Sequence, residues 1–270
     1  MKKPEVKRRK IAFAERISTR IWQEEPASHN PYLAEHCRCH GYDLLELMAH
    51  CRFSEVLFLL LKGELPSEDE LQLLEALMVA LINPGPRHPA TRAAMNAGVG
   101  KTYPQHILPI ALSILGGEHL GGSEVERSMR FLAKHLGKDP EGVLEDTLKK
   151  AARPKEGDWH IVPGFGSRFG GIDPMPQKIA RHLVDLPGGG RALAWGDALA
   201  KALHPHDMGW LTTGVAAAAF VDLGFLPRMG SGLFQIICAP GLLAHGLEMA
   251  PRPITAMPFL DDERYVIEED

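Results

Sequence analysis

Apolar residues recur at steps of three and four positions along most of the chain, the spacing typical of helices that bury one face. The clearest segment runs from Ser67 to Ile82 and opens with Ser67 and Glu70, a pair that can form a capping box. Its apolar positions are Leu71, Leu74, Leu77, Met78 and Leu81. The pattern predicts one helix over this stretch.

Cap and stop residues divide the neighbouring sequence into further helices. Asp43 and Ser54 can each cap a short apolar segment, and Gly63 suits a left-handed helix end. Ser123 can cap a longer amphipathic segment that Gly137 would stop. Each of these signals predicts a separate helix.

The second half of the chain holds helical segments with few charges on any face. Asp139 followed by Pro140 predicts a helix start. Because later segments lack a polar face, we expect them deep in the core or at a subunit interface. These segments span residues 194–203, 211–223 and 230–249, and the second contains four consecutive alanines, Ala216 to Ala219.

Strand signals are weak by comparison. Only Arg20–Gln23 and Ala34–Arg38 alternate in the way that a half-buried strand requires, and they would form one small hairpin. The predicted fold class is therefore all-α.

Charge excludes some classes of partner. The chain has 270 residues with 30 basic and 34 acidic side chains, and a net charge of −4 gives no general attraction to nucleic acid or anionic membranes. The basic start and the acidic end are predicted to be solvated arms. No signal peptide is visible, and the longest apolar run, Val56 to Leu61, is far too short to cross a bilayer. These observations predict a cytoplasmic protein.

The four cysteines fit a reducing compartment. Cys37, Cys39 and Cys51 lie among histidines, which raises the question of zinc, while Cys238 stands alone. Only one residue separates Cys37 from Cys39. Structural zinc sites usually have two to four residues between paired cysteines, and they need a second pair of ligands to complete the tetrahedron. The sequence therefore predicts no metal site.

Two loops are dense in glycine and proline. The first, residues 162–171, also carries Ser167 and Arg168, which makes it the better candidate for ligand contact. The second, residues 186–190, is interpreted as a linker between helices.

Four motifs in order give the chain a resemblance to the citrate synthase family. These motifs cover roughly residues 40 to 255. The chain is shorter than ordinary citrate synthases, and its length is more similar to that of citryl-CoA lyases and of the citryl-CoA-cleaving module of ATP-citrate lyase. The matching segments are Gly41–Leu44 with Ser54–Pro66, Gly116–Ser123, Val162–Arg168 with Asp173-Pro174, and Gly241–Glu248 with Arg252-Pro253.

The resemblance implies a helical fold with a CoA thioester bound in a cleft between two domains. The large domain would comprise residues 1–119 and 236–270, and the smaller inserted domain residues 120–235. Family members are dimers or larger assemblies, so a homodimer or higher homo-oligomer is expected. An acyl-CoA and a small carboxylate would be the ligands, with no separate cofactor.

The family chemistry makes or breaks a C–C bond next to the thioester, and several of its side chains are substituted here. An aspartate must take a proton from the acyl methyl group while histidines stabilise the enol and polarise a ketone. Where the resemblance places those groups and the carboxylate-binding arginines, this chain has Ser167, Trp210, Leu120, Met175 and Cys238. Ordinary citrate synthesis is therefore expected to be weak or absent.

Three explanations stay open. The acid and base groups could have moved to nearby positions, with His119, Ser167, His206 and Asp207 as candidate catalytic residues, although His206 and Asp207 also fit a polar helix-ending loop. The chain could instead bind CoA thioesters without chemistry, as a sensor or regulatory subunit. It could also be the assembly partner of an active paralogue.

The resemblance also implies a CoA-binding loop that is almost intact. In the family, its backbone contacts the adenine and phosphate end of CoA. The candidate CoA-binding residues are Ile161, Val162, Pro163, Gly164, Phe165, Gly166 and Arg168.

Overall fold

A computed structural model describes residues 16–155, 157–258, 260, 263–265 and 268. The basic start of the chain, for which a solvated arm is predicted, lies outside these ranges, as does most of the acidic end. The chain divides into two compact units, and the boundary in the sequence falls between Leu65 and Pro66. The domain boundaries that the resemblance implies stay a prediction.

The first unit combines a three-stranded sheet with two short helices. Its core contains Cys39, Leu47 and Leu59, with Cys51, Val56 and Leu65 packed against it. Its elements are β1 (Trp22–Ala27), β2 (Asn30–Cys39), β3 (Tyr42–Asp43), α1 (Leu44–His50) and α2 (Phe53–Lys62).

The predicted hairpin is confirmed and is longer than the sequence indicates. Antiparallel β1 and β2 pair from Trp22 with Cys39 to Ala27 with Asn30, and the register shifts around Pro26. Proline cannot donate to the ladder, which explains the irregularity.

The caps in this unit are only partly as predicted. Asp43 caps α1, and Gly63 ends α2 in the left-handed conformation, so both predictions are confirmed. The prediction that Ser54 caps α2 is wrong, because the helix begins at Phe53 and its N-cap is Arg52. The backbone N–H of Arg52 donates to the Glu55 carboxylate, so no capping hydroxyl is required.

The second unit is a helical bundle, which confirms the all-α fold class. Two minimal strands, β4 (Phe165–Gly166) and β5 (Gly209–Trp210), pair antiparallel. The helices are α3 (Glu68–Leu81), α4 (Pro89–Val99), α5 (Pro104–Leu115), α6 (Gly122–His135), α7 (Pro140–Leu148), α8 (Pro174–Val184), α9 (Arg191–Leu203), α10 (Thr212–Asp222) and α11 (Pro227–Met249).

Helix α10 lies at the centre of this unit. Ala216 to Ala219 are fully buried, which confirms that this segment, which lacks a polar face, lies deep in the core. Helix α10 packs on α6 and α9, and α11 packs on α4, α5 and α6. By length and composition α11 could cross a membrane, but a core helix satisfies the same criteria.

Helix starts in the second unit follow the sequence except at α6. Ser67 forms its capping box with Glu70, and Asp139 caps α7. The prediction for Ser123 is wrong because α6 begins at Gly122, and the Ser123 hydroxyl instead donates to the carbonyl of Gly116. Residues 186–190 connect α8 to α9, as the linker interpretation predicts.

We expect Asp222→Ala to destabilise the protein by about 2 to 4 kcal/mol, because the Asp222 carboxylate supplies the cap that α9 lacks. It accepts backbone hydrogen bonds from Gly190, Ala192 and Leu193 at 2.7 to 3.0 Å. Urea denaturation measures the loss. The matched control Asp185→Ala, at an α8 end with no such bonds among the described residues, should change stability by less than about 0.5 kcal/mol.

Candidate active site

A cavity of about 260 Å³ lies in the second unit. Two arginines and one carboxylate line it, and that carboxylate, Asp173, already caps α8 by accepting the N–H of Met175. This charge balance favours an anionic ligand. The lining residues that matter below are Arg87, His88, Leu120, Arg168, Asp173, Met175, Thr212 and Cys238.

Arg168 is held in place by the loop that carries it. Its backbone N–H donates to the carbonyl of Gly171 at 2.7 Å, and its guanidinium lies 5.0 Å from the centre of the Phe169 ring. Within the described residues its guanidinium has no ion-pair partner. Arg168 can therefore bind a carboxylate or phosphate of a ligand.

His88 is a buried cavity residue that stays neutral. Its Nδ1 accepts the N–H of Ala90 at the start of α4, so Nε2 carries the hydrogen and donates to the carbonyl of Leu120 at 3.1 Å. Burial lowers the pKa of His88, and the positive charges of Arg168 and His119 lower it further. Donation to the Leu120 carbonyl opposes this effect without reversing it.

Leu120 adopts a conformation that is unusual for a residue other than glycine. Its φ is +54°, in the left-handed region that costs about 1 to 2 kcal/mol for L-residues. The Glu124 carboxylate accepts the Leu120 N–H at 2.9 Å, while His88 donates to its carbonyl. The two side chains hold the strained peptide at the wall of the cavity.

Glu124 is the central buried charge of the site, with only 1% of its surface exposed. Burial alone would raise its pKa, but donors from His160, Gly164 and Thr213 lower the pKa of Glu124 below its ordinary value. The distances from the carboxylate oxygens are 2.7 Å to His160 Nδ1, 3.1 Å to Thr213 Oγ1 and 3.4 Å to Gly164 N. Glu124 is therefore ionised at neutral pH.

His119 and His160 stack beside this carboxylate. Their ring centroids are 5.1 Å apart and their planes differ by 18°. His160 is largely buried, and its Nε2 has no hydrogen-bond partner among the described residues. His119 is exposed, so it is the imidazole that a ligand can reach.

The glycine-rich loop packs against the start of α10 through backbone atoms. Gly164 has a φ of +83°, and a Cβ on Gly214 would lie 2.1 Å from the Gly164 carbonyl oxygen. The same oxygen accepts the N–H of Leu211 at 2.9 Å. Only glycines at both positions permit this approach.

Most of the predicted CoA-binding residues do not line the cavity. Of that set only Arg168 does. Ile161, Gly164, Phe165 and Gly166 are buried, while Val162 and Pro163 are half-buried. Their role in binding CoA stays a prediction.

The four candidate catalytic residues do not converge. Ser167 is buried and accepts the N–H of Trp159, and it does not line the cavity. His206 and Asp207 lie on an exposed 3₁₀ turn after α9, away from the cavity. His119 precedes cavity residue Leu120 and contacts His160. Of the four, the structure therefore associates only His119 with a buried ionisable group.

The substituted family positions fall into two groups. Leu120, Met175 and Cys238 line the cavity, so apolar groups and a thiol occupy part of its wall. Trp210 is fully buried and stacks on Phe165 at 4.5 Å, so it offers no group to a ligand.

Glu124 and His160 were missed as candidate residues. They are 36 positions apart, and the spacing gives no indication of their contact. One signal was available: Glu124 lies on the same face of α6 as buried Val125, Ser128 and Met129, where a carboxylate needs a buried partner.

Comparison with known proteins agrees with this architecture. Residues 19–136 match the family model described as citrate synthase, C-terminal domain. Citryl-CoA lyase from Hydrogenobacter thermophilus is 26% identical, with a TM-score of 0.74 and 94% of each chain covered.

Two more distant structures share the fold. ATP citrate lyase from Methanosaeta concilii, solved with (3S)-citryl-CoA, is 16% identical with a TM-score of 0.70, covering 94% of this chain and 43% of that one. Citrate synthase from Thermoplasma acidophilum is 18% identical with a TM-score of 0.59, covering 81% of this chain and 57% of that one. The resemblance seen in the motifs is thus confirmed: residues 19–136 match the citrate synthase family model, and the chain is similar in fold to a citryl-CoA lyase and to citrate synthases.

Proposed function

We propose that the chain is an acyl-CoA enzyme of the citryl-CoA lyase type, which breaks or makes a C–C bond next to the thioester carbonyl. The observation that carries the proposal is the cavity lined by Arg87 and Arg168 in a chain that is 26% identical to a citryl-CoA lyase over 94% of both sequences. Two guanidinium groups suit a ligand that carries carboxylates. An acyl-CoA and a small carboxylate are the proposed ligands.

Ordinary citrate synthesis from acetyl-CoA and oxaloacetate should be weak or absent. Leu120 and Trp210 occupy two positions where the resemblance places acid and base groups, and each such group is worth about 10² to 10⁴ in rate. A turnover near 10 per second, about the median for enzymes, would contradict this expectation.

We also propose a homo-oligomer in the cytoplasm. Four isoleucines and leucines on α5 and α11 are 40 to 48% exposed, which leaves apolar surface for a second copy to cover. These residues are Ile110, Ile114, Ile236 and Leu247. Sedimentation velocity measures the oligomeric state, and a monomer at micromolar concentration would contradict the proposal.

A second candidate function is binding of a CoA thioester without chemistry, in a sensor or regulatory subunit. The observation that favours it is the apolar character of Leu120 and Met175 in the cavity wall. The arginines could hold a ligand in such a cavity while apolar side chains occupy the places where the family chemistry needs polar groups.

One experiment separates the two functions. Purified protein is incubated with citryl-CoA, release of acetyl-CoA and oxaloacetate is followed by chromatography, and CoA and acetyl-CoA binding is measured by calorimetry. Cleavage supports the enzyme, and binding without cleavage supports the second candidate. Absence of both would contradict both proposals.

Arg168→Ala should weaken binding of the thioester substrate by about 10- to 100-fold, because a hydrogen bond to a charged group contributes about 1.5 to 3 kcal/mol. Arg130→Ala is the matched control, since Arg130 forms a surface ion pair with Glu126 on α6. Equal affinities for both variants would remove Arg168 from the proposed site.

A further inference from the structure

The cavity of the second unit has two chemically different ends. The charged lining residues lie at its mouth, where Arg87 is exposed and Arg168 and Asp173 are half-buried. The lining residues that are buried form its inner wall. They are Leu81, His88, Leu120, Pro176, Phe234 and Cys238.

The polar groups of the inner wall are already engaged or weak. His88 is neutral, and its two ring nitrogens bond with the Ala90 N–H and the Leu120 carbonyl. The Leu120 N–H donates to Glu124, and Cys238 offers only a thiol, which is a weak donor. A carboxylate placed against this wall would lose its water without gaining strong donors, whereas an apolar chain would be stabilised there.

The mouth suits one carboxylate. The guanidinium groups of Arg87 and Arg168 have no ion-pair partner among the described residues, while the Asp173 carboxylate repels further negative charge. Thr212 is half-buried and adds a single hydroxyl. Two cations and one fixed anion leave one net positive charge for the ligand to balance.

Phe169 lies at the mouth in a strained backbone conformation. Arg168 and Gly171 exchange backbone hydrogen bonds across a two-residue turn, and its central residues, Phe169 and Gly170, have φ of +50° and +79°. Such a turn favours Asn followed by Gly, because a bulky residue is strained at positive φ. Phe169 is 76% exposed, so packing within the chain does not account for the aromatic ring. Strain of this kind at a cavity points to ligand contact.

We propose that the small carboxylate of this site is a 2-oxo acid with a single carboxylate and an apolar chain of about three carbons, and that Phe169 covers this chain. Arg168, whose guanidinium lies 5.0 Å from the centre of the Phe169 ring, would bind the carboxylate beside it. The inference rests on the proposed function, which requires the keto group, and it names the class of acid.

The size of the cavity and two substitutions agree with such a ligand. At roughly 30 Å³ for each water-sized group, a volume of about 260 Å³ accommodates an acid of about eight non-hydrogen atoms. Met175 and Cys238 stand where the resemblance places carboxylate-binding arginines, and both line this cavity. The groups that would hold a second carboxylate are therefore replaced by less polar ones.

The first test compares two acids of similar size on the full chain, with CoA present. 2-Oxopentanoate carries an ethyl group where oxaloacetate carries its second carboxylate. Saturation-transfer NMR should give a Kd at least about 10-fold lower for 2-oxopentanoate than for freshly prepared oxaloacetate. The reason is that the ethyl group gains from burial, while the second carboxylate finds no donor at the inner wall.

Met175→Arg tests the charge argument, because Met175 lines the mouth and is exposed at the start of α8. A third guanidinium should tighten oxaloacetate binding by about 10-fold and change 2-oxopentanoate binding much less. Met175→Gln is the matched control, since it has a similar reach without the charge, and it should change either affinity by less than about 2-fold.

Phe169→Asn separates a binding role from a structural one. Asn followed by Gly suits the turn, so the Tm should be kept or rise by about 2 to 4 °C, while the preference for 2-oxopentanoate over oxaloacetate falls by about 5-fold. A structural role would instead lower the Tm and leave the preference alone. Tyr103→Asn removes another exposed aromatic ring, one that does not line the cavity, and should keep the preference.

Three results would overturn the inference: oxaloacetate binding to the wild type as tightly as 2-oxopentanoate or more tightly, no binding of 2-oxopentanoate, or an unchanged preference in Phe169→Asn. Failure of the proposed function is distinguishable from these results. In that case the wild type would neither bind CoA nor cleave citryl-CoA, whichever acid it prefers.

Discussion

Glu124→Ala is expected to destabilise the protein by about 3 to 5 kcal/mol at neutral pH, the range found when one member of a buried charged network is removed. The change leaves the Leu120 N–H, the Thr213 hydroxyl and His160 Nδ1 without their acceptor. It also releases the left-handed Leu120, whose conformation Glu124 and His88 hold together. Denaturant unfolding followed by circular dichroism measures the loss.

The same variant predicts a dependence on pH with a defined sign. Because the pKa of Glu124 lies below its ordinary value of 4.5, the ionised carboxylate stabilises the folded state above that pH. This contribution is lost as the pH falls through the folded-state pKa. The stability difference between wild type and Glu124→Ala should therefore shrink in acid, and an equal difference at pH 7 and pH 3 would contradict the assignment.

Glu126→Ala is the matched control on the same helix. Glu126 forms an ion pair with Arg130 at the surface, and such pairs contribute about 0.2 to 1 kcal/mol. If Glu126→Ala lowered the stability as much as Glu124→Ala, any substitution on α6 would have this effect, and the buried network would not explain it.

Trp210→Asp, which restores a carboxylate where the resemblance places one, should destabilise the protein by about 4 kcal/mol or more and yield no citrate synthesis. Removing a large buried aromatic ring costs about 3 to 5 kcal/mol, and the new carboxylate would be buried without a donor. Trp210 is fully buried between Phe165 and Gly196. A Cβ on Gly196 would lie 2.1 Å from the Trp210 ring, so α9 can pack against the indole only because this residue is glycine.

Thermal unfolding and an acetyl-CoA and oxaloacetate condensation assay test this prediction. Trp210→Phe is the milder control, since it keeps an aromatic ring against Phe165 and should retain most of the stability. A stable Trp210→Asp protein that condenses the two substrates would show that the indole merely blocks a site that is otherwise complete.

The sequence predicts the helices well because their signals are local. Caps such as Asp43 and Asp139 and the stop at Gly63 act within one turn of the helix they limit. The two wrong caps, Ser54 and Ser123, have the same origin. In α2 the Glu55 carboxylate accepts the N–H of the N-cap Arg52, and in α6 the carbonyls of Gly116 and Gly117 accept the N–H of Ser123, so each helix begins earlier than the nearest hydroxyl suggests.

The site was less predictable because its contacts are distant in sequence. Glu124 contacts His160 and Thr213, which are 36 and 89 residues away. The motifs identified His119 and Arg168 because each lies inside or beside a family segment. The motifs could not show that Ser167 is buried in the loop while Arg168 faces the cavity. The direction of each side chain depends on the path of the loop backbone, which the sequence does not reveal.

Cys238 gives the cavity wall an unusual chemical property. Burial raises the pKa of its thiol to about 12, so the reactive thiolate is scarcely populated at neutral pH. Because this thiol is almost fully buried and un-ionised, the cavity wall contains a sulfur atom without presenting a nucleophile. Alkylating reagents at neutral pH should therefore leave Cys238 unmodified.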